Sequence, residues 1–305
     1  MSGVAILRAI QSIHSPSLDL LFYAITQLHN ETFYILILPL LLWLYDKRFA
    51  RYMVSVFLLG YWANNMLKFA FHTARPSPND VRVIHPETGG GPAFPSGHSQ
   101  NPLMFWWALA LHFNRAWFKW LAGIIILLIG LSRLYMGLHW PLDVLGGWAI
   151  GALMLWGFQV TMGFWTGQGM SLRQKLCWAV AIPVAGVLLA PLAIPSPLPK
   201  DVWVMGGAYM GFWVGSVLEE HYVGFNPRRG SVVAQVMKVI VGVVLIMAVK
   251  EGFKLILPAN GIGDFIRYSL VALMATLGAP WLFHRMLGNP PVGKPNAAWE
   301  RVPIQ

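Results

Sequence analysis

Residues 118–143 read FKWLAGIIILLIGLSRLYMGLHWPLD, a long apolar run followed by a short polar sequence. The run 118–136 carries charge only at Lys119 and Arg133. Its length is close to the roughly 20 mostly apolar residues that a membrane-spanning helix needs. The stretch therefore predicts a helix that crosses a bilayer, with Arg133 near its end and Asp143 just inside the next helix.

The composition of the whole chain is typical of an integral membrane protein. Its 305 residues are 56% hydrophobic and 11% charged, whereas soluble domains carry about 25% charged residues. The mean hydropathy is +0.56. A chain with so few charges cannot cover a folded surface with solvated groups, so lipid is the simplest solvent for most of it. The 15 Trp residues fit this interpretation, because amphipathic rings favour the membrane–water interface.

The charge and cysteine content exclude several other classes of protein. The formal net charge is +10, but the basic residues are scattered in short loops, as membrane orientation and anionic lipid require. We therefore expect no nucleic-acid partner. The single cysteine, Cys177, excludes a disulfide framework within the chain and a zinc site built on several thiolates.

Apolar segments predict an all-α, polytopic fold with about nine membrane-spanning helices. They lie near 31–45, 51–71, 99–113, 118–136, 142–164, 174–194, 202–218, 232–257 and 264–287. The stretch Leu18–His29 has apolar residues at helical spacing but is short, so we expect a helix lying on the membrane surface. We expect one membrane domain, 1–305, with a catalytic core in 1–165 and additional membrane helices in 166–305.

Basic loops predict the orientation of this domain. The loops near 46–51, 114–119, 173–175 and 226–229 and the C-terminal tail fall on one side of a nine-span arrangement. By the positive-inside rule, that side is the cytoplasm. The N-terminus and the loops 72–98 and 137–141 then lie outside. Four basic residues nevertheless cluster at the outer ends of helices, and an anionic ligand would explain them. They are Lys68, Arg75, Arg82 and Arg133.

The first polar motif is KFAFHTARP, from Lys68 to Pro76. Lys68 and Arg75 are two helical turns apart and share a face if the helix continues that far. Pro76 marks the exit from the helix. The alternative is that both are interfacial cations whose apolar stems lie in lipid.

The second motif, Pro95-Ser96-Gly97-His98, precedes an apolar run and predicts a tight turn that opens a helix. Free backbone N–H groups and the helix dipole make such a turn an anion site. Gly97 allows close approach of the backbone, and Ser96 can cap or donate. An imidazole beside an anion suits a general acid, which favours function for His98 over an ordinary helix cap.

The third motif contains Ser132, Arg133, His139 and Asp143. A carboxylate four residues after His139, in the first turn of a helix, can hold the imidazole and select its tautomer. The alternative is a pair that only stabilises the loop. The predicted topology brings all three motifs to the outer face, where they supply cations, a nucleophile and a second histidine for phosphoryl transfer. Too few carboxylates are present there for a two-metal site, so we expect no metal and no cofactor.

Other polar segments are expected to have structural roles. We interpret Gly89–Gly91 as a flexible loop. Gln100 and Asn101 either face a head group or cap the helix. The loop 219–229, with Glu219 and Glu220, is expected to be solvated and to touch lipid rather than to form a second site.

The three motifs together resemble those of the type 2 phosphatidic-acid phosphatase superfamily, K-x6-R-P, P-S-G-H and S-R-x5-H-x3-D, at every fixed position. The resemblance covers about residues 51–145. It implies that His139 attacks phosphorus and becomes phosphohistidine, that Asp143 orients its ring, and that His98 protonates the leaving oxygen. It also implies which groups hold the phosphoryl oxygens: Lys68, Arg75, Arg133, Ser96 and the Gly97 amide.

The resemblance implies a membrane phosphatase acting on a lipid phosphate or diphosphate at the outer membrane face. The alternatives are a phosphatase for a soluble ester such as a sugar phosphate, and a transporter that binds lipid phosphate without hydrolysis. Composition and short loops favour a bacterial plasma or inner membrane, with the site facing the periplasm or exterior, or the lumen in a eukaryote. The particular lipid, the oligomeric state and the role of the later helices are left open.

Overall fold

The structure is a computed structural model that describes residues 3–161, 163, 169–192, 194 and 197–287. Every regular element within these ranges is helical, as predicted. The α-helices are α1 Gly3–Gln11, α2 Pro16–Thr26, α3 Glu31–Leu40, α4 Lys47–Phe71, α5 Gly97–Phe113, α6 Ala116–Tyr135, α7 Pro141–Val160, α8 Leu172–Leu189, α9 Lys200–Leu218, α10 Val232–Ile256, α11 Gly261–Leu273 and α12 Ala279–Met286.

Three of these helices continue as π-helical turns: α3 through Leu41–Tyr45, α9 through Glu219–Val223, and α11 through Met274–Gly278 into α12. By length and apolar composition, five helical segments among the described residues can cross a membrane. They are Ala116–Tyr135, Pro141–Val160, Leu172–Leu192, Val232–Ile256 and Gly261–Met286. The chain is therefore an integral membrane protein, and the count of about nine spans stays a prediction.

The remaining long helices are more polar because they lie inside the bundle. Ser55 and Asn64 on α4, and Gln100 on α5, are buried. Polar groups of membrane helices usually face the protein interior, where they bond across helices. Large apolar side chains are instead exposed on the outer helices, for example Trp120 on α6 and Trp156 on α7, as expected for surfaces that contact lipid.

The C-terminal helices pack on the core through α9, which lies between α4 and α11. Small residues allow this close approach, because a Cβ at Gly207 or Gly211 would collide with the backbone of Phe265 or Ser269 on α11. The Ser269 hydroxyl donates a hydrogen bond to the Gly207 carbonyl at 3.0 Å. Small and hydroxyl residues are characteristic of helix contacts inside membranes.

The short helix predicted at 18–29 is present as α2 with a 3₁₀ turn, Gln27–His29. Its Leu20 is exposed, but Thr26 and His29 at its end are buried. The segment is thus partly a surface helix, and its end enters the protein interior.

The prediction of a solvated 219–229 loop is wrong for Glu219. Glu219 is 2% exposed and lies 2.9 Å from the Lys47 ammonium. Glu220 lies 2.6 Å from Arg51 and 3.5 Å from Lys175. These ion pairs join the start of α4 to α8 and the end of α9. Local sequence did not reveal them, because the paired residues are far apart along the chain.

Candidate active site

The three polar motifs meet at one end of the bundle, where α4 ends, α5 begins and α6 turns into α7. The turn between α6 and α7 contacts the start of α5 directly, since the Ser96 amide donates to the Asp143 carbonyl at 3.0 Å. The predicted site residues Lys68, Ser96, Arg133, His139 and Asp143 are all buried there.

His139 is held between a carboxylate and a guanidinium. Its Nδ1 lies 3.3 Å from Asp143 Oδ2, and its Nε2 lies 3.1 Å from an Arg75 Nη1 donor. Asp143 is itself fixed in the first turn of α7, where Oδ2 accepts the Trp140 amide at 2.7 Å. Because Arg75 can only donate, the network assigns the proton to Nδ1 and the lone pair to Nε2. This is the tautomer of a nucleophilic imidazole.

The environment of His139 also keeps its ring neutral. Burial lowers the pKa of His139 well below the ordinary value, and the positive charge of Arg75 lowers it further. Desolvation and nearby cations both disfavour an imidazolium. The Nε2 lone pair is therefore available at neutral pH.

The three predicted phosphate-binding cations donate to backbone carbonyls of one loop, residues 88–92. The Lys68 ammonium donates to the Pro92 carbonyl at 2.6 Å. Arg75 donates to the carbonyls of Gly90 at 2.7 Å and Gly91 at 2.9 Å. Arg133 donates to the Thr88 carbonyl at 2.9 Å. The glycine loop thus occupies part of the donors that an anion would use, which the sequence interpretation of a flexible loop did not anticipate.

The Ser96–His98 turn opens α5 as predicted, with Ser96 in extended conformation at the N-cap. Gly97 is required here, because a Cβ would lie 2.9 Å from Asn64 Oδ1. Gln100, left open by the sequence, is fully buried. Its amide nitrogen donates to the Gly60 carbonyl at 2.9 Å, and its oxygen accepts from Asn64 at 2.9 Å. Gln100 therefore holds α5 against α4.

Comparisons with known proteins match this chain to one family. Residues 49–166 match the model of the PAP2 superfamily, and residues 203–289 match the model described as PAP2 superfamily phosphatase, transmembrane extension. The chain is 30% identical to phosphatidylglycerophosphatase B of Bacillus subtilis, over 52% of this chain and 81% of the relative. It is 31% identical to a putative undecaprenyl-diphosphatase of Escherichia coli, over 48% of this chain and 77% of the relative.

The chain belongs to the PAP2 superfamily. A match of greater extent is lipid phosphate phosphatase delta of Arabidopsis thaliana, 26% identical over 88% of this chain and 72% of the relative. The resemblance inferred from the three motifs is therefore confirmed.

Two residues that precede the PAP2 match also enter the site. The Thr26 hydroxyl accepts a hydrogen bond from Arg133 Nη1 at 2.9 Å. The His29 ring packs edge-on against His98, with ring centroids 4.6 Å apart, and its Nδ1 lies 2.9 Å from the Tyr34 hydroxyl. Sequence reasoning missed both, because no local pattern links this segment to the motifs.

Arg82 does not belong to the PAP2 site, contrary to the prediction that grouped it with the other outer cations. Its guanidinium pairs with both carboxylate oxygens of Asp19 on α2. The hydrogen bond from Arg82 lowers the pKa of Asp19 to about 2. Arg82 thus anchors the N-terminal segment, and the anion that it binds is the carboxylate of Asp19 rather than a ligand.

Within residues 3–161, 163, 169–192, 194 and 197–287, no three His, Cys, Asp or Glu side chains cluster closely enough to hold a metal ion. A metal-independent reaction stays a prediction.

Proposed function

We propose that this PAP2 protein hydrolyses a lipid phosphate or diphosphate through a phosphohistidine on His139, without a metal ion. The observation that carries the proposal is the placement of His139, with Nδ1 on Asp143 and Nε2 at the Arg75 guanidinium. A nucleophile that points at cations can attack a phosphorus atom whose oxygens those cations hold.

In the first step, the Nε2 lone pair of His139 attacks phosphorus, and the bond between phosphorus and the leaving oxygen breaks. His98 donates a proton to that oxygen, so the product leaves as an alcohol, or as a monophosphate from a diphosphate. Asp143 stabilises the positive charge of the ring. Lys68, Arg75 and Arg133 stabilise the charge on the phosphoryl oxygens, with the Ser96 hydroxyl and the Gly97 amide as further donors.

In the second step, His98, now deprotonated, accepts a proton from a water molecule that attacks phosphorus. The N–P bond breaks, inorganic phosphate leaves, and Nε2 recovers its lone pair. His98 is thereby reprotonated, and the cycle is complete. One histidine is the nucleophile throughout, and the other is acid and then base.

Two observations support a lipid substrate. The relatives are named for a lipid phosphate, for phosphatidylglycerophosphate and for undecaprenyl diphosphate. The basic loops 46–51 and 114–119 lie at the helix ends opposite the site, and by the positive-inside rule this supports a site at the outer membrane surface. There it meets lipid head groups.

The test is phosphate release by detergent-purified protein, with excess chelator present. The substrates are a prenyl diphosphate, phosphatidylglycerophosphate, phosphatidic acid, a sphingoid-base phosphate and a sugar phosphate. We expect chelator-resistant release from at least one lipid, abolished in His139→Ala and retained in His221→Ala, which removes an exposed histidine. A ³²P-labelled substrate should leave acid-labile label on the wild-type protein and on His221→Ala, and none on His139→Ala.

The other outcomes separate the alternatives. Release from the sugar phosphate alone would assign a soluble phosphate ester as the substrate. Binding of lipid phosphate without release from any substrate would contradict hydrolysis and favour a transporter. Loss of activity with chelator, restored by a divalent cation, would contradict the metal-independent mechanism.

A further inference from the structure

A cavity of about 770 Å³ extends from the phosphatase motifs into the helical bundle. At one end it is lined by Lys68, Arg75, His98 and His139. The proposed reaction uses only this end. The rest of the cavity has no role in that chemistry, and nothing in the PAP2 motifs accounts for it.

One face of α4 forms a wall of the cavity along its length, with Val54, Leu58, Tyr61, Asn65 and Lys68 as lining residues. They recur at three- and four-residue intervals, so they share one side of the helix. From Lys68 to Val54 the helix rises about 21 Å at 1.5 Å per residue. Along this distance the face changes from cationic through polar to apolar.

The other walls are also apolar in the part of the cavity that lies away from the phosphatase motifs. The helix α3 contributes Leu38 and Leu42, and α10 contributes Ile246. The deep lining from α9 and α11 is mostly apolar and includes Val204, Ala208, Phe212, Val271, Ala272 and Ala275. The helices α9, α10 and α11 lie almost wholly within residues 203–289, the match to the transmembrane extension. The extension therefore builds most of the apolar end.

A polar belt separates the two ends. On α4 it is formed by Tyr61 and Asn65, and Asp201 and Lys250 also line the cavity. The Tyr61 hydroxyl donates to the Asp201 carboxylate at 3.4 Å. Tyr61 lies seven residues from Lys68, so the belt reaches about 10 Å from the cation along α4.

We infer that the transmembrane extension forms the binding site for the hydrocarbon chain of the substrate. The inference rests on the proposed function. The chain lies between α4 and the pair α9 and α11, and the belt faces hydrogen-bonding groups between phosphate and chain. The substrate is a lipid phosphate with hydroxyl or amine groups near the phosphate, rather than a prenyl phosphate. The hydrocarbon layer of a bilayer is roughly 30 Å thick, so the lipid chain of one leaflet extends over about 15 Å. The part of α4 that lines the cavity is about 21 Å long, which is enough for such a chain and a head group.

The first test fills the cavity without touching the motifs. Ala272→Phe places a ring in the apolar part of the cavity, and Ala248→Phe places the same ring on the exposed side of α10. We expect Ala272→Phe to lower kcat/KM at least tenfold on a long-chain lipid phosphate and less than twofold on p-nitrophenyl phosphate. Ala248→Phe should leave both values unchanged.

The second test locates the chain in the wild-type protein. The probe is a long-chain alkyl phosphonate, which cannot be hydrolysed, with a diazirine at the end of its chain. We expect photolabelling of peptides that contain Phe212 or Ala275. Labelling instead at the exposed residues Leu153 and Trp156 on α7 would overturn the inference, because the chain would then lie in the surrounding lipid.

The third test addresses the belt. At equal chain length, kcat/KM should be higher for a lipid phosphate with a hydroxyl or amine next to the phosphate than for a plain alkyl or prenyl phosphate. Tyr61→Phe should reduce that difference. Equal values for the two substrates in the wild-type protein would overturn the head-group part of the inference.

The outcomes separate this inference from the proposed function. An active wild type with unaltered long-chain turnover in Ala272→Phe overturns the chain site and leaves the phosphatase intact. A wild type that releases phosphate from no substrate overturns the phosphatase. If Ala272→Phe loses activity on both substrates, the photolabelling of the wild type decides.

Discussion

Individual side chains around His139 fit the proposed role of this histidine as a nucleophile. Asp143 holds Nδ1, Arg75 faces Nε2, and burial keeps the ring uncharged. Asp143 orients the ring, Arg75 lies on the side toward which Nε2 points, and burial sets the charge state. The first prediction below tests the burial of His139, and the second tests a neighbour of His98.

The first prediction concerns pH. A histidine whose folded-state pKa lies below its ordinary value stays neutral as the pH falls past 6.5, so the nucleophile is retained at lower pH. We expect the acid limb of kcat/KM to have its midpoint below pH 6.5, after correction for the separately measured ionisation of the substrate phosphate. A midpoint at or above 6.5 would contradict the role of burial.

The second prediction concerns His29, which we expect to be a positioning residue for His98. His29→Ala removes the edge-on ring contact and should lower kcat about tenfold with little change in KM, a part of the 10²–10⁴-fold that acid–base catalysis supplies. His29→Phe keeps a ring and should recover part of the rate.

The choice of leaving group distinguishes this role from a structural one. An alkoxide needs a proton, whereas p-nitrophenolate leaves with little help. The loss in His29→Ala should therefore be larger for an alkyl phosphate than for p-nitrophenyl phosphate. Equal losses on both would indicate that His29 only supports the fold.

Among the elements, the glycine loop 88–92 is the one that we expect to change conformation on binding. Its carbonyls accept hydrogen bonds from Lys68, Arg75 and Arg133, so a phosphate that binds these cations competes with the loop carbonyls. We call the loop closed when its carbonyls bind the three cations. A phosphate that needs the loop open binds more weakly than it would to an open loop, by the free energy that favours the closed loop.

The third prediction uses two neighbouring glycines of this loop. Gly91 has φ +64°, and a Cβ at Gly90 would meet nothing within 4 Å. Gly91→Ala should destabilise the closed loop by about 1–2 kcal/mol and so tighten binding of inorganic phosphate about five- to thirtyfold, measured as a competitive Ki. Gly90→Ala is the control and should bind like the wild type. Weaker binding in Gly91→Ala would mean that the bound state needs the same backbone conformation.

Across the whole bundle, the site and the ion-pair cluster occupy opposite ends. Lys47 and Lys68 lie on the same helix, 21 residues apart, which is about 32 Å. At the far end, Glu219 pairs with Lys47, and Glu220 pairs with Arg51. The cluster thus joins the PAP2 core to the extension where no catalytic group is present.

The fourth prediction concerns this cluster. Glu219→Ala leaves Lys47 buried without its partner, which typically costs about 3–5 kcal/mol of unfolding free energy. We expect a lower thermal unfolding midpoint in detergent but near-normal turnover at low temperature. Arg229→Ala, an exposed position in the same loop, should unfold like the wild type. An unchanged midpoint in Glu219→Ala would mean that the pair contributes nothing net.

Local sequence was sufficient for the helical fold and for the core of the site. Long apolar runs are helical in lipid because every backbone polar group must bond within its own segment. The spacing of Lys68, Arg75, His139 and Asp143 was informative because each motif is short and lies within one helix end or turn. The boundary at 165, the number of spans and the orientation stay predictions.

The remaining features depend on contacts between distant parts of the chain. Thr26 meets Arg133 across 107 positions, and Lys47 meets Glu219 across 172. No periodicity connects such pairs. The sequence therefore predicts a solvated side chain for any charged residue in a loop, whether or not the fold brings a partner into contact with it. The packing of α9 between α4 and α11 likewise helps to enclose a cavity that no single helix encodes, because a cavity is a property of the space between elements.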